Sequence, residues 1–142
     1  MLTIQQATIP AMSERTVENV RDYEKFALSL PQEPMPVRHF IHGGMYARTI
    51  TIPRGVMITG ALIKLETILI VSGVCKVWLG DRFNFVVGYN VLPAAAHRKQ
   101  VFVAIEDTDI TMLFPTSEID VKKAEEQFTD EWRLLTTRTC EV

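Results

Sequence analysis

The chain has 142 residues, 47% of them hydrophobic and 23% charged, with fifteen Lys and Arg against seventeen Asp and Glu for a net charge of −2. That length suits about one domain of a soluble globular protein. The balance excludes a general nucleic-acid binder, which needs a basic excess, and no apolar run reaches the ~20 residues of a membrane-crossing helix. The first fifteen residues lack a basic stretch followed by an apolar one, so no secretory signal is read. Two cysteines, Cys75 and Cys140, are too few for a disulfide scaffold and fit a reducing cytoplasm.

Residues 1–36 read as a helical arm and connector. Val17, Val20, Tyr23, Ala27 and Leu30 recur at three- and four-residue spacing and predict one apolar helical face from Ser13 to Leu30, with Ser13 and Thr16 as candidate N-caps. Pro31, Pro34 and Pro36 then impose an extended connector. The helix must pack on its own core or on a neighbouring subunit.

Residues 37–115 hold short β-rich runs: Tyr46–Ile52, Val56–Leu62, Thr67–Ser72, Lys76–Leu79, Phe83–Val87, Gln100–Ile105 and Ile110–Phe114. Turn residues separate them, and the spacing predicts a sandwich or barrel. Runs such as Ile68-Leu69-Ile70-Val71 predict strands buried on both faces. Residues 116–142 return to a helical pattern. Ser117 three before Asp120 is a weak capping box, and Val121, Ala124, Phe128, Trp132 and Leu135 form the stripe that would pack on the barrel or a neighbour.

The stretch from His39 to Phe114 resembles cupin-like β-barrels encoded by bacteriophages. The resemblance rests on Gly44-Met45-Tyr46-Ala47-Arg48-Thr49-Ile50, Ile52-Pro53-Arg54-Gly55, Thr59-Gly60-Ala61-Leu62-Ile63-Lys64, Val71-Ser72-Gly73, Arg98-Lys99-Gln100 and Glu106-Asp107-Thr108, with Phe128-Thr129-Asp130-Glu131 matching more loosely. It implies a mainly-β jelly-roll barrel carrying an N-terminal helical arm and a C-terminal helix. It also implies a protein of the host cytoplasm or of the phage particle.

Many cupins are metal enzymes that hold one ion with imidazoles and a carboxylate. The positions implied for such ligands fall on Ile63 and Thr67, and on Ile105 of a later strand. Strand alternation puts Ile63, Leu65, Thr67, Leu69 and Val71 on one interior face, and Val101 and Val103 with Ile105. That lining would strip an ion of water and return almost no ligands. No metal and no cofactor is therefore expected. His39 and His42, three apart beside Gly43-Gly44 ahead of the first strand, are weak metal candidates, and hydrogen bonding to backbone in a tight turn is the favoured reading. Neither cysteine has a histidine near in sequence, and a structural thiol is the expectation for each.

The candidate ligand-binding residues are Tyr46, Arg48, Lys64, His97, Arg98 and Lys99, with Trp78 and Phe102 as neighbouring aromatic rings. Guanidinium and ammonium groups beside aromatic faces suit an anionic, ring-bearing ligand such as a nucleotide. The structural alternative pairs Lys64 with Glu66 on an outer face and Arg48 with Glu106 or Asp107. A ligand is expected at the barrel mouth or a subunit boundary, the interior being filled with aliphatic side chains.

The resulting reading is a non-catalytic protein that holds a small anionic ligand, sequestering a host signal. Two alternatives stay open: a structural or assembly component of a phage particle, and a metal-dependent cupin enzyme using His39, His42 or His97 with Glu66 or Glu106. Self-association is expected under the first two, because two helices are too few to cover strands apolar on both faces.

Overall fold

The computed structural model describes residues 8–135. One helix, α1 (Glu14–Ala27), precedes seven strands: β1 (Val37–His42), β2 (Met45–Ile52), β3 (Met57–Thr59), β4 (Thr67–Trp78), β5 (Phe83–Ala94), β6 (Val101–Ala104) and β7 (Thr108–Pro115). A second helix, α2 (Val121–Phe128), and a 3-10 turn at Trp132–Leu134 follow. The architecture is mainly β, a half-barrel with a helix at each end, as expected. No described helix is long and apolar enough to cross a membrane.

All strand pairs are antiparallel, in the order β1-β2-β7-β4-β6-β3, with β5 on the other side of β4. β4 organises the sheet. One edge pairs with β5 along its whole length. The other pairs first with β7, through Ile68–Ser72, and then with β6, through Cys75–Trp78.

The fork between β7 and β6 is possible because of Gly73. The turn joining β6 to β7 docks there, with Val74 O accepting from Ile105 N (2.8 Å), Glu106 N (3.0 Å) and Thr108 Oγ1 (3.2 Å). A Cβ on Gly73 would stand 2.5 Å from Thr108 Oγ1 and 2.7 Å from Asp107 O, and its φ of +147° disfavours any other residue.

Inward-facing residues alternate as strand geometry requires. Tyr46, Ile50 and Ile52 of β2, Leu69, Val71, Cys75 and Val77 of β4, and Ile110, Met112 and Phe114 of β7 form one core, with Phe102 and Ala104 of β6. Helix α1 is capped by Ser13, whose Oγ accepts from Thr16 N at 3.1 Å. It lays Val17 and Val20 over Val101, with Met12, on the outer face of β6. The helix thus packs on its own core, while Tyr23 and Leu30 of the expected stripe stay exposed.

Several expectations are corrected. Val37–His42 is a strand, so His39 and His42 lie on β1 and not on a turn. Thr67–Ser72 and Lys76–Leu79 are one strand running through Gly73. β5 continues through Gly88-Tyr89-Asn90 instead of turning there. The strand predicted over Val56–Leu62 is only Met57–Thr59, after which the chain keeps one bridge, Ile63 with Arg98. Helix α2 is capped by Asp120, not Ser117, and ends at Phe128, so Trp132 and Leu135 belong to the following turn. Cys140 lies outside the described residues.

Gly73→Ala is expected to lower stability by about 2 kcal/mol or more, combining overpacking with a disfavoured backbone angle. Urea unfolding of both proteins checks this, with the loss appearing as a lower midpoint at unchanged slope.

Candidate functional site

The interior of the half-barrel is not filled. A cavity of about 150 Å³ is lined by Ile50, Leu69, Ile110, Met112 and Phe102 on its apolar side. Arg48, Arg98, Lys99 and Gln100 supply polar groups, with Glu24 of α1 and Glu131 after α2 also on the lining. The exposed Leu134 marks its open side. The interior therefore holds a cavity, contrary to the expectation of an aliphatic plug.

Arg98 is the central group. It follows His97, whose φ of +63° turns the chain at the end of the Ala94-Ala95-Ala96 loop. The turn aims the Arg98 side chain inward, where it is 1% exposed. Its guanidinium donates to Ala95 O (2.6 Å), Leu65 O (3.2 Å), Thr67 Oγ1 (2.6 Å) and Gln100 Oε1 (3.1 Å). Every acceptor is neutral, and no carboxylate of the described residues lies within 4 Å of it. Burial pulls its pKa down to about 10, which still leaves it charged at neutral pH.

Gln100 is 6% exposed and sits on the Arg98 side of the cavity. Its Oε1 is taken by Arg98, which fixes the amide's orientation. Its Nε2 is buried and finds no acceptor among the described residues. A buried donor without an acceptor costs ~1–3 kcal/mol.

Lys99 is bound differently. Its Nζ lies 3.2 Å from Glu24 Oε2 and 3.0 Å from Glu131 Oε1 while the residue is 1% exposed. Thr59 Oγ1 donates to Glu24 Oε2 at 2.9 Å, and Arg21 Nε lies 3.5 Å from Glu131 Oε2. Leu62 N also donates to Glu131 Oε1. This network ties α1, the residues after β3 and the segment after α2 together at one wall of the cavity. For Glu131, burial pushes the carboxyl pKa up, but the Leu62 amide, Lys99 and Arg21 outweigh it and leave the group below its ordinary 4.5.

Of the six candidate ligand residues, the fold brings Arg48, Arg98 and Lys99 to the cavity. Tyr46 is fully buried in the core, its hydroxyl 2.7 Å from His39 Nδ1 and its ring against Phe114. Lys64 is on the surface, 2.7 Å from Asp130, and so is not paired with Glu66. His97 Nε2 lies 2.9 Å from Glu14 at the surface. Arg48 sits over the Phe128 ring at 5.7 Å, while Glu106 is near Arg54 instead. Trp78 packs on Phe83 and lies one register position from Phe102, on the opposite face of the sheet.

The metal-ligand positions implied by the resemblance do not fit an ion. Ile63 has no ligand atom, and the Thr67 hydroxyl already accepts from the Arg98 guanidinium, whose charge would repel a divalent cation. His39 and His42, an odd number of residues apart on one strand, point to opposite faces. No group of three His, Cys, Asp or Glu converges among the described residues. The interior residues of β6 are Phe102 and Ala104, not Val101, Val103 and Ile105. Cys75 is buried, and burial pushes its thiol pKa up, as for a structural cysteine.

No family model and no curated protein matches the chain. Among solved structures it is similar to an RmlC-like cupin family protein with a double-stranded β-helix fold from Methanocaldococcus jannaschii, at 14% identity and TM-score 0.49, covering 60% of this chain and 83% of that one. It is similar to a cupin-2 domain containing protein from Shewanella frigidimarina, at 12% identity and TM-score 0.47, covering 66% and 91%. A cupin superfamily protein from Desulfitobacterium hafniense gives 11% identity and TM-score 0.47, covering 80% and 100%. These likenesses extend to the outline of the fold and not to any ligand, reaction or partner.

Two outcomes are expected for the ion network. Lys99→Met leaves Glu24 and Glu131 facing each other without their shared cation and should cost about 3 kcal/mol by urea unfolding at neutral pH. A carboxylate held below its unfolded pKa stabilises the fold above that unfolded value, and the contribution is lost as pH falls through the folded value. Stability of the unaltered protein should therefore fall as pH drops below about 4.5, and Glu131→Gln should flatten that fall in unfolding midpoints taken from pH 7 to 3.

Proposed function

We propose that this protein binds a small carboxylate in the cavity and does not turn it over. The observation that carries the reading is the buried Arg98 guanidinium, held by neutral acceptors alone, beside an unsatisfied Gln100 amide donor. A buried cation is stabilised by an opposite charge, and a bound anion supplies one. On the same lining Lys99 is engaged by Glu24 and Glu131, whereas Arg98 meets no carboxylate of the described residues.

Volume narrows the ligand. About 150 Å³ matches a space that admits benzene, on the order of six heavy atoms. A nucleotide needs several times that room. One carboxylate at Arg98 and Gln100 with a short apolar body against Leu69, Ile110 and Met112 satisfies both size and chemistry. The described residues around this space include no nucleophile–base pair and no metal donor set, which favours binding without turnover. If the host-signal role implied by the phage resemblance holds, the signal is a small organic acid.

Calorimetry and thermal melts with acetate, propionate, butyrate and benzoate, against chloride, inorganic phosphate and adenosine monophosphate, test the proposal. A small organic carboxylate should bind with sub-millimolar affinity and stabilise the protein by about 2.7 kcal/mol at a hundredfold excess over Kd. Gln100→Leu should weaken binding about tenfold or more; because it also removes the oxygen that Arg98 Nε donates to, it should lower the stability of the ligand-free protein by ~1–3 kcal/mol as well. If none of the four acids shifts the melt at saturating concentration, the reading fails.

A further inference from the structure

Strand β5 presents a face that the other described residues do not cover. Phe83, Phe85, Val87, Tyr89 and Val91 alternate along it and all point outward. Phe85, Val87 and Tyr89 are 68%, 66% and 69% exposed, and Phe83 and Val91 more than 40%. On β4 their cross-strand neighbours are Trp78, Lys76, Val74, Ser72 and Ile70, with the exposed Ile68 next along the same face. Lys76 is the one charged residue of these eleven, and its Nζ lies 5.2 Å from the centre of the Phe83 ring. None of the twelve residues of β5 is charged.

Sheet faces that stay in water are normally polar on alternate residues, and exposed strands are protected with charges. β5 carries neither device, and Lys76 of β4 is the single charge on this face. The free edge of β5 is a separate matter, since Ile9 already pairs with Ala94 at one end of it. The unprotected feature is the face, not the edge.

We infer that the outer face of the β4–β5 hairpin is a self-association surface, packed against the same face of a second copy about a two-fold axis. Three observations favour a second copy over a foreign partner. The first is area. With about 200 Å² to an aromatic side chain, the five β5 residues leave roughly 500 Å² of apolar surface in water. Ile68, Ile70, Val74 and Trp78 bring the face close to the ~800 Å² per partner of a stable dimer.

The second is self-complementarity. An isologous contact must match its own image, and a nearly charge-free stripe of alternating rings and Val residues meets its image without like-charge repulsion. The third is shape. Two extended sheet faces stack at ~10 Å with side chains interdigitating, which a twelve-residue stripe allows along its whole length. The cavity opens elsewhere, on the side of Leu134, so association leaves its entrance free. The inference does not rest on the carboxylate reading.

The test is the oligomeric state of the full chain by light scattering and sedimentation. The unaltered protein should have twice the protomer mass at about 200 µM and dissociate on dilution, as mass action requires. Phe85→Thr with Tyr89→Thr keeps strand preference while removing both rings and should give a monomer with an unchanged circular dichroism spectrum. Val87→Arg places like charges near the axis and should do the same. Hydrogen exchange on the unaltered protein serves as a second measurement, with protection of residues 68–91 rising with concentration. A monomer at high concentration, variants that stay dimeric, or exchange that ignores concentration would each overturn the inference. A monomer would instead assign the face to a different partner.

Discussion

The interior of this protein is arranged around one buried positive charge that no carboxylate of the described residues neutralises. Arg98 reaches from the turn after Ala96 into the sheet and is held by two backbone carbonyls, a hydroxyl and an amide oxygen. Those four acceptors come from the chain on both sides of it, at Leu65, Thr67, Ala95 and Gln100. The guanidinium therefore staples the irregular segment before β4 to the turn before β6. Such a group is costly to bury unless its donors are all engaged. Gln100, oriented by the same arginine, keeps a donor that still has no acceptor among the described residues. The cavity and its chemistry both follow from this arrangement.

The rest of the molecule defines what can reach that charge. Gly73 lets β4 fork between β7 and β6, which curls the sheet and makes an inside. Helix α1 and the segment after α2 close one wall through Lys99, Glu24 and Glu131. Lys99 is removed from solvent and engaged by two carboxylates, while Arg98 meets neutral acceptors. The volume that remains is far smaller than a nucleotide needs. The β4–β5 hairpin points the other way, with its apolar outer face turned from the core. The cavity and the bare hairpin face thus lie on opposite sides of β4.

Much of the architecture was legible because alternation and helical spacing are local. The interior parity of Thr67, Leu69 and Val71 and the capping by Ser13 were read directly from residue order. The parity of β6 was not legible. Helix α1 covers its outer face at Val101, so the strand is apolar on both sides and alternation carries no information. That error hid Gln100, which shares the inward face with Phe102. β1 was missed because Arg38, Phe40 and His42 leave its outer side polar or exposed directly after a proline-rich connector.

The site was half legible for the same reason. Arg48, Arg98 and Lys99 were identifiable as basic residues within a β region, since a charge on a buried strand is conspicuous. Nothing local distinguished them from Lys64 and His97, which the fold sends to the surface against Asp130 and Glu14. Glu24 and Glu131 are separated by 107 positions and meet only through Lys99. What residue order determined by itself was the class of structure, because alternation and helical spacing depend on neighbours in the chain. Which cations stay buried and unneutralised, which face of β4–β5 is bare, and how large the interior space is were decided only when distant segments packed, because burial and charge pairing are properties of contacts and not of sequence.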